Sequence, residues 1–204
     1  MSNEIKAIIF DLYDTLLYIA NETKPYTKLF LNLSLQPAEF KQAKAIALTE
    51  DFADLSGLVK RIKPDANINL QPYEDEITKE VKSAVLFPET KRVLEELQKR
   101  NFRLGLISNL ASPYKKPFFD LGLDKYFEKA LFSCEVGLQK PDVRIYQRIL
   151  QDMKLSPSQT FMVGDKINRD VNPPKSMGMN AVLIDRHKQS ITSILSLEEI
   201  FQYF

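Results

Sequence analysis

Three apolar runs in this 204-residue chain end on groups that can do chemistry. Ala7-Ile8-Ile9-Phe10 stops at Asp11, Leu104 to Ile107 stops at Ser108-Asn109, and Phe161-Met162-Val163-Gly164 stops at Asp165. Each run is long enough for a buried parallel strand. Parallel strands in one sheet would bring all three ends to a single edge, where open α/β sheets bind ligands. Lys140 opens a helical stretch after a further short strand and belongs on that edge too. Two carboxylates, a hydroxyl, an amide and an ammonium in one crevice suit a divalent cation with a phosphoryl group. Hard carboxylate oxygens fit Mg²⁺, which keeps water and phosphate in the rest of its shell. The hydroxyl and ammonium can hold the remaining phosphate oxygens. Taken alone, Asp11 has a plainer reading, as the residue that turns the chain after its strand.

The surrounding pattern supplies the elements such a site needs. Ile5 to Phe10 reads as the first strand. From Leu17 to Ala84 the chain is helical in pattern, with little strand signal. Pro25 to Leu33, Pro37 to about Lys63 and Pro72 to about Val85 each begin near a proline, a favoured helix start. Gly57 is a candidate break within the second. Alternation then sets in: helix from Pro88, strand from Phe102, helix from Pro113 capped by Gly122, strand at Ala130 to Ser133, and helix from Pro141. A strand from Thr160, a helix delayed by Pro173-Pro174, a strand at Asn180 to Ile184 and a last amphipathic helix from Ser190 complete the chain. This predicts an α/β fold with a doubly wound parallel sheet. Residues 1–16 and 85–204 would form the core, and 17–84 a small inserted helical domain, either a packed bundle or a lid over Asp11.

Composition bounds the function. A net charge of +1 gives no reason to expect nucleic acid as partner. No apolar run approaches membrane-spanning length, the N-terminus lacks a signal-peptide pattern, and a lone Cys134 permits no intrachain disulfide. The lone cysteine suits a reducing cytosol, so the expected location is cytoplasmic, and the expected form is a monomer or homodimer. Cys134 reads as a small packed residue and His187, the sole histidine, as a surface residue. Tyr18, Tyr26 and Tyr73 are candidates for a pocket wall or for helix packing.

The motifs together resemble the haloacid dehalogenase superfamily of hydrolases, over essentially the full chain. Phe10-Asp11-Leu12-Tyr13-Asp14-Thr15-Leu16 resembles its first motif, Leu106 to Asn109 its second, Gly137 to Asp142 its third and Val163 to Asp170 its fourth. The resemblance implies a Rossmann-like core with a helical cap, and a phosphatase working through an aspartyl-phosphate. It makes Asp11 the nucleophile, places Ser108 on the transferred group and gives Lys140 the task of balancing negative charge. Asp11, the Tyr13 carbonyl, Asp165 and Asp170 would form the Mg²⁺ site, with Asn109 beside Ser108 and Lys140 in binding a small phosphorylated substrate.

Tyr13 departs from the pattern. The family's phosphatases usually carry there a second Asp, which protonates the leaving oxygen and later activates water. A phenol of pKa about 10 can donate a proton but is a poor base at neutral pH. The neighbouring Asp14 offers another acid. The superfamily's 2-haloacid dehalogenases resemble this chain in having Tyr at that position, yet need no metal and differ in the fourth motif. A doubled acid there is hard to account for without a cation. A regulatory phosphate-binding protein with little turnover is the remaining alternative.

Overall fold

The computed structural model describes residues 4–186 and 193–204. Five parallel strands form the main sheet: β1 (Ala7–Phe10), β4 (Arg103–Ser108), β5 (Lys129–Phe132), β6 (Thr160–Gly164) and β7 (Asn180–Leu183), in the order β5-β4-β1-β6-β7. Helices cover both faces, as the alternation of side chains shows. Ile8, Phe10, Leu104, Leu106 and Val163 enter one apolar cluster with Val93, Leu94 and Leu97 of α5 (Thr90–Lys99). Ala7, Ile9, Ile107 and Met162 enter the other with Ile145, Tyr146 and Ile149 of α8 (Val143–Asp152). A strand buried on both faces must be apolar at every position, which is why β1 reads as an unbroken run. Gly105 lies where α8 crosses β4: a Cβ there would come 2.9 Å from Met153 Sδ and 3.0 Å from Ile149.

Because β1 is central, its neighbours β4 and β6 carry Ser108 and Asp165 to either side of Asp11. Phe10 pairs with Leu106 on one side and Val163 on the other, and the Asp11 N–H donates to the Val163 carbonyl at 2.9 Å.

Residues 17–84 hold four helices, α1 (Pro25–Asn32), α2 (Pro37–Thr49), α3 (Leu55–Ile62) and α4 (Gln71–Lys82). They bury an apolar cluster of their own around Leu29, Phe30, Ala43, Leu58 and Ile77. The expected single helix from Pro37 is two. The break falls at Glu50–Asp54, not at Gly57, whose N–H donates to the Asp54 carboxylate that caps α3. The stretch also has strands at both ends: β2 (Leu17–Ile19) pairs antiparallel with β3 (Ala84–Leu86). Three-residue strands are too short for a period-2 pattern to register, so sequence periodicity missed them.

Smaller corrections follow the same logic. The helix expected from Pro141 begins at Val143, after Asp142 accepts from the Arg144 N–H at 2.9 Å. Pro173 and Pro174 do not delay the next helix but lie in the first turn of α9 (Asn172–Ser176), where the missing N–H costs nothing. The C-terminal segment is a 3₁₀ helix over Leu197–Tyr203, burying Leu197 and Ile200; Ser190 and His187 lie outside the described residues. The helix from Pro113 is a 3₁₀ turn (Ser112–Lys115) followed by α6 (Lys116–Asp120), with Gly122 at φ +68° after it, as expected of its cap.

Candidate active site

The structure brings two of the sequence candidates, Asp11 and Asp170, together on the ammonium of a third, Lys140. Lys140 Nζ donates to Asp11 Oδ1 at 2.6 Å and to Asp170 Oδ1 at 2.5 Å, with all three residues buried. Lys140 lies in the loop between α7 (Ser133–Val136) and α8. Asn109 fixes that loop: its amide nitrogen donates to the Lys140 carbonyl at 2.7 Å and its amide oxygen accepts from the Lys140 N–H at 2.8 Å. Both ends of the Asn109 amide are therefore engaged in positioning the lysine. Ser108, 1% exposed, makes no side-chain hydrogen bond among the described residues.

Asp170 is held as tightly. Its Oδ2 accepts from the Lys166 N–H at 3.0 Å, closing a π-helical turn over Ile167–Val171. Its side chain presses on the backbone at Gly164, where a Cβ would fall 2.4 Å from Asp170 Cγ. Only glycine lets β6 approach the acid this closely. The Tyr146 hydroxyl of α8 donates to the Arg169 carbonyl and fixes the turn from outside. Asp165 is half-buried and accepts from Lys166 Nζ.

Asp11, Asp165 and Asp170 each place a carboxylate oxygen within 4.8 Å of the others. Three carboxylates share this space with two ammonium groups, Lys140 on Asp11 and Asp170 and Lys166 on Asp165, which leaves one negative charge in excess. Burial, with Asp170 and Asp165 beside it, pushes the Asp11 carboxyl up to about 7 against the pull of Lys140. Burial likewise raises Asp165. Burial alone would lower the Lys140 ammonium, but Asp11 and Asp170 outweigh it and hold Lys140 above its usual range. The Tyr13 carbonyl accepts no hydrogen bond among the described residues. Three hard carboxylates and a free carbonyl are a donor set that fits a divalent cation.

The loop carrying Asp11 is braced from below. Leu12, Thr15, Leu16 and Leu17 are wholly buried, Thr90 Oγ1 donates to the Leu16 carbonyl at 2.7 Å, and Arg186 donates to the Thr15 carbonyl at 2.7 Å. Arg186 also pairs with Glu89 and lies 3.7 Å from the Phe87 ring centre. Asp14 takes a left-handed φ of +60° and is exposed.

Tyr13 turns its hydroxyl away to the Tyr114 carbonyl, which accepts at 2.9 Å. Burial, and then the charge on Glu80, push its phenol up. Sequence reasoning overlooked Glu80, which is 2% exposed on α4. Its carboxylate accepts from the Tyr114 hydroxyl, from the Thr23 N–H and hydroxyl, and from the Lys24 N–H at 2.7 Å. A signal was present: Glu80 lies on the same helical stripe as the buried Ile77 and Val81. Tyr114 lies within the segment after Ser108 that the loop between α2 and α3 grips, as Lys115 reaches Asp51 at 3.2 Å and Ser112 Oγ accepts from the Phe52 N–H at 3.0 Å.

Of the remaining candidates, Tyr26 lines a cavity between the inserted helices and the sheet edge, Tyr18 lines a second groove on the Asp165 side, and Tyr73 accepts from Asn32 at 2.9 Å. Cys134 is buried, as expected of a packing residue.

A family profile described as haloacid dehalogenase-like hydrolase matches residues 5–178, the span that contains every residue of this cluster. The chain belongs to the haloacid dehalogenase-like hydrolases. It is 29% identical to a glyceraldehyde 3-phosphate phosphatase of Methanothermobacter thermautotrophicus, over 89% of this chain and 86% of that one. A second glyceraldehyde 3-phosphate phosphatase, from Methanocaldococcus jannaschii, is 29% identical over 90% of this chain and 86% of its own length. Among solved structures, a phosphatase of this superfamily from Thermococcus onnurineus superposes with a TM-score of 0.68 at 23% identity, covering 98% of this chain and 97% of its own. A 2-haloacid dehalogenase from Pseudomonas syringae pv. Tomato DC3000 superposes with 0.70 at 22% identity, covering 97% of each chain. Those two likenesses establish the hydrolase fold and do not choose between the two chemistries. No helix among the described residues is long and apolar enough to cross a membrane.

Proposed function

We propose that this hydrolase is a Mg²⁺-dependent phosphoric monoester hydrolase acting on a small phosphorylated molecule, with Asp11 as nucleophile. The observation that carries the reading is that Asp11, Asp165 and Asp170 bring carboxylate oxygens within 4.8 Å of one another, with the buried Lys140 ammonium on Asp11 and Asp170. A site that released only halide needs no cation, and three carboxylates against the ammonium groups of Lys140 and Lys166 would leave it with a net negative charge. The phosphatases among the relatives point the same way.

In this scheme Asp11, the Tyr13 carbonyl and Asp165 hold the cation, with Asp170 supporting it. Bound there, Mg²⁺ would neutralise charge on the phosphoryl oxygens and on the attacking carboxylate. Asp11 attacks phosphorus in line, the ester P–O bond breaks, and its electron pair leaves with the alcohol oxygen. Lys140 stays protonated throughout, because two carboxylates hold it so, and orients the Asp11 carboxylate. The Ser108 hydroxyl and the ammonium of Lys140 balance the transferred group, while Asn109 acts through Lys140 as a positioning residue. Water then hydrolyses the acyl phosphate and restores the carboxylate. Tyr13 contributes its carbonyl and its ring; its hydroxyl proton is committed to Tyr114. Residues 17–84 serve as the cap, joined to the core through the β2–β3 ribbon.

Incubating the protein with acetyl phosphate and with 2-chloropropionate, each with and without Mg²⁺, tests the scheme. Phosphate release that requires Mg²⁺ and vanishes in Asp11→Asn is expected. Metal-independent chloride release would replace the scheme with the dehalogenase reading.

A further inference from the structure

The cavity between the inserted helices and the sheet edge measures about 480 Å³. Pockets of roughly 300–1,000 Å³ hold drug-sized ligands, so a three-carbon leaving group would leave most of this space to water. Four aromatic rings line it in a continuous file. Tyr13 and Tyr114 lie 6.1 Å apart between ring centres, Tyr114 and Tyr26 6.1 Å, and Tyr26 and Phe30 6.0 Å. Tyr13, two residues beyond Asp11, and Asn109, next to Ser108, both line the cavity, so it adjoins the loops that carry Asp11 and Ser108 and runs from there into the inserted helices. Leu48 of α2 adds apolar surface. Tyr13, Tyr26 and Tyr114 are only half-buried and keep ring surface accessible to a ligand.

Two of the three phenol protons along this wall are committed to acceptors. The Tyr13 hydroxyl donates to the Tyr114 carbonyl, and the Tyr114 hydroxyl to Glu80. Glu80 in turn accepts from Thr23 and Lys24, so it is held as an acceptor, not as an acid. On this wall only the Tyr26 phenol, a weak acid, keeps an uncommitted proton among the described residues, and the other acids of the lining, Asp14 and Glu22, are exposed, so a leaving group meets no buried strong donor. Alkoxides do so poorly, whereas a phenolate carries the charge into its ring. Cavity and proton inventory are independent observations, and they favour the same leaving group.

We infer that the preferred substrate is a small aryl phosphate monoester, its phosphoryl group at Asp11 and its ring stacked along the Tyr13–Tyr114–Tyr26 file. This rests on the phosphatase reading above. The bond between Asp11 Oδ and phosphorus forms as the aryl C–O–P linkage breaks at P–O. The electron pair remains on the phenolate oxygen, which takes its proton from water. Hydrolysis of the acyl phosphate then yields inorganic phosphate.

The test compares kcat/KM for phenyl and naphthyl phosphates, glycerol phosphate and acetyl phosphate, the last being small with a leaving group that needs no proton. Aryl esters should exceed glycerol phosphate by about a hundredfold or more, the lower end of what general acid help is worth. They should also show a KM about tenfold below that of acetyl phosphate. Leu48→Trp, which fills the cavity, should lower the aryl-to-acetyl ratio at least tenfold. Tyr26→Leu, a conservative loss of ring surface, should lower it several-fold and guards against misfolding of the first variant. Binding gives a readout without turnover: phenylphosphonate should bind the Mg²⁺-loaded protein at least tenfold tighter than methylphosphonate. Acetyl phosphate hydrolysis with no aryl advantage and equal phosphonate affinities would overturn the inference while leaving the phosphatase reading standing. Glycerol phosphate cleaved as fast as phenyl phosphate would overturn it too, and would point to Asp14 as proton donor. If neither acetyl phosphate nor any ester is hydrolysed, the phosphatase reading fails, and the phosphonate comparison still judges the cavity.

Discussion

Replacing Asp11 by Asn should make the metal-free protein more stable, and increasingly so as pH rises. Asp11 is buried beside Asp170 and Asp165, and its carboxyl is pushed from 3.8 to about 7. Between those values the folded chain keeps a proton that the unfolded chain has released. Asp11 therefore favours folding most at low pH, and its contribution is lost as pH climbs from about 4 to about 7. At 1.36 kcal/mol per pH unit the whole window is worth about 4 kcal/mol. An amide at position 11 does not titrate, and it still accepts from Lys140, which keeps its ion pair with Asp170. The advantage of Asp11→Asn over wild type should thus grow by about 2–3 kcal/mol between pH 5 and pH 8. For a domain of this size that is a relative rise in Tm of about 5–10 °C. Calorimetry of both proteins in chelator across this range reads it directly. Mg²⁺ should then stabilise the wild type at pH 8 far more than the variant, since it relieves the same excess charge. A Tm difference that does not change with pH, or a variant less stable at pH 8 than at pH 5 relative to wild type, would refute the electrostatic account of this cluster.

Other expectations can be checked alongside. Asp165→Asn should weaken Mg²⁺ binding at least tenfold with the fold intact; equal affinity by titration calorimetry would remove Asp165 from the cation site. Gly164→Ala should destabilise by about 1–3 kcal/mol, because the new methyl meets Asp170 at well under contact distance; an unchanged denaturation midpoint would mean that the turn yields freely. Tyr13→Asp should recover part of the hundred- to ten-thousand-fold that acid–base help typically supplies, and mainly on alkyl phosphates; a uniform loss across leaving groups would show that the tyrosine ring matters more than the missing acid.

The sequence disclosed the core of this fold because burial on both faces forces apolar continuity. β1 could be found from Ala7 to Phe10 alone, and Asp11, Ser108 and Asp165 at once marked the ends of adjacent strands. Lys140 was legible as a member of the site, but its ion pairs were not, since α8 and its preceding loop are brought there by tertiary packing. The role of Asn109 as a brace for Lys140 depends on two hydrogen bonds spanning 31 residues, which no local pattern encodes. The β2–β3 ribbon escaped notice because three residues are too few for periodicity. Glu80 and Tyr114 escaped because their partnership joins a helix of the inserted segment to a turn after β4. The acid on the buried face of α4 was the one visible trace of it.

The central claim, that Asp11 becomes phosphorylated, is tested most directly by trapping the acyl phosphate. Wild-type protein mixed with Mg²⁺ and phenyl phosphate would be quenched, reduced with borohydride and digested, and the peptide carrying residue 11 analysed by mass spectrometry. Reduction converts an aspartyl-phosphate to homoserine, so homoserine at position 11 is predicted, dependent on Mg²⁺ and absent from Asp11→Asn. Turnover of the same substrate without any modification at residue 11, retained in Asp11→Asn to within a few-fold, would contradict the account.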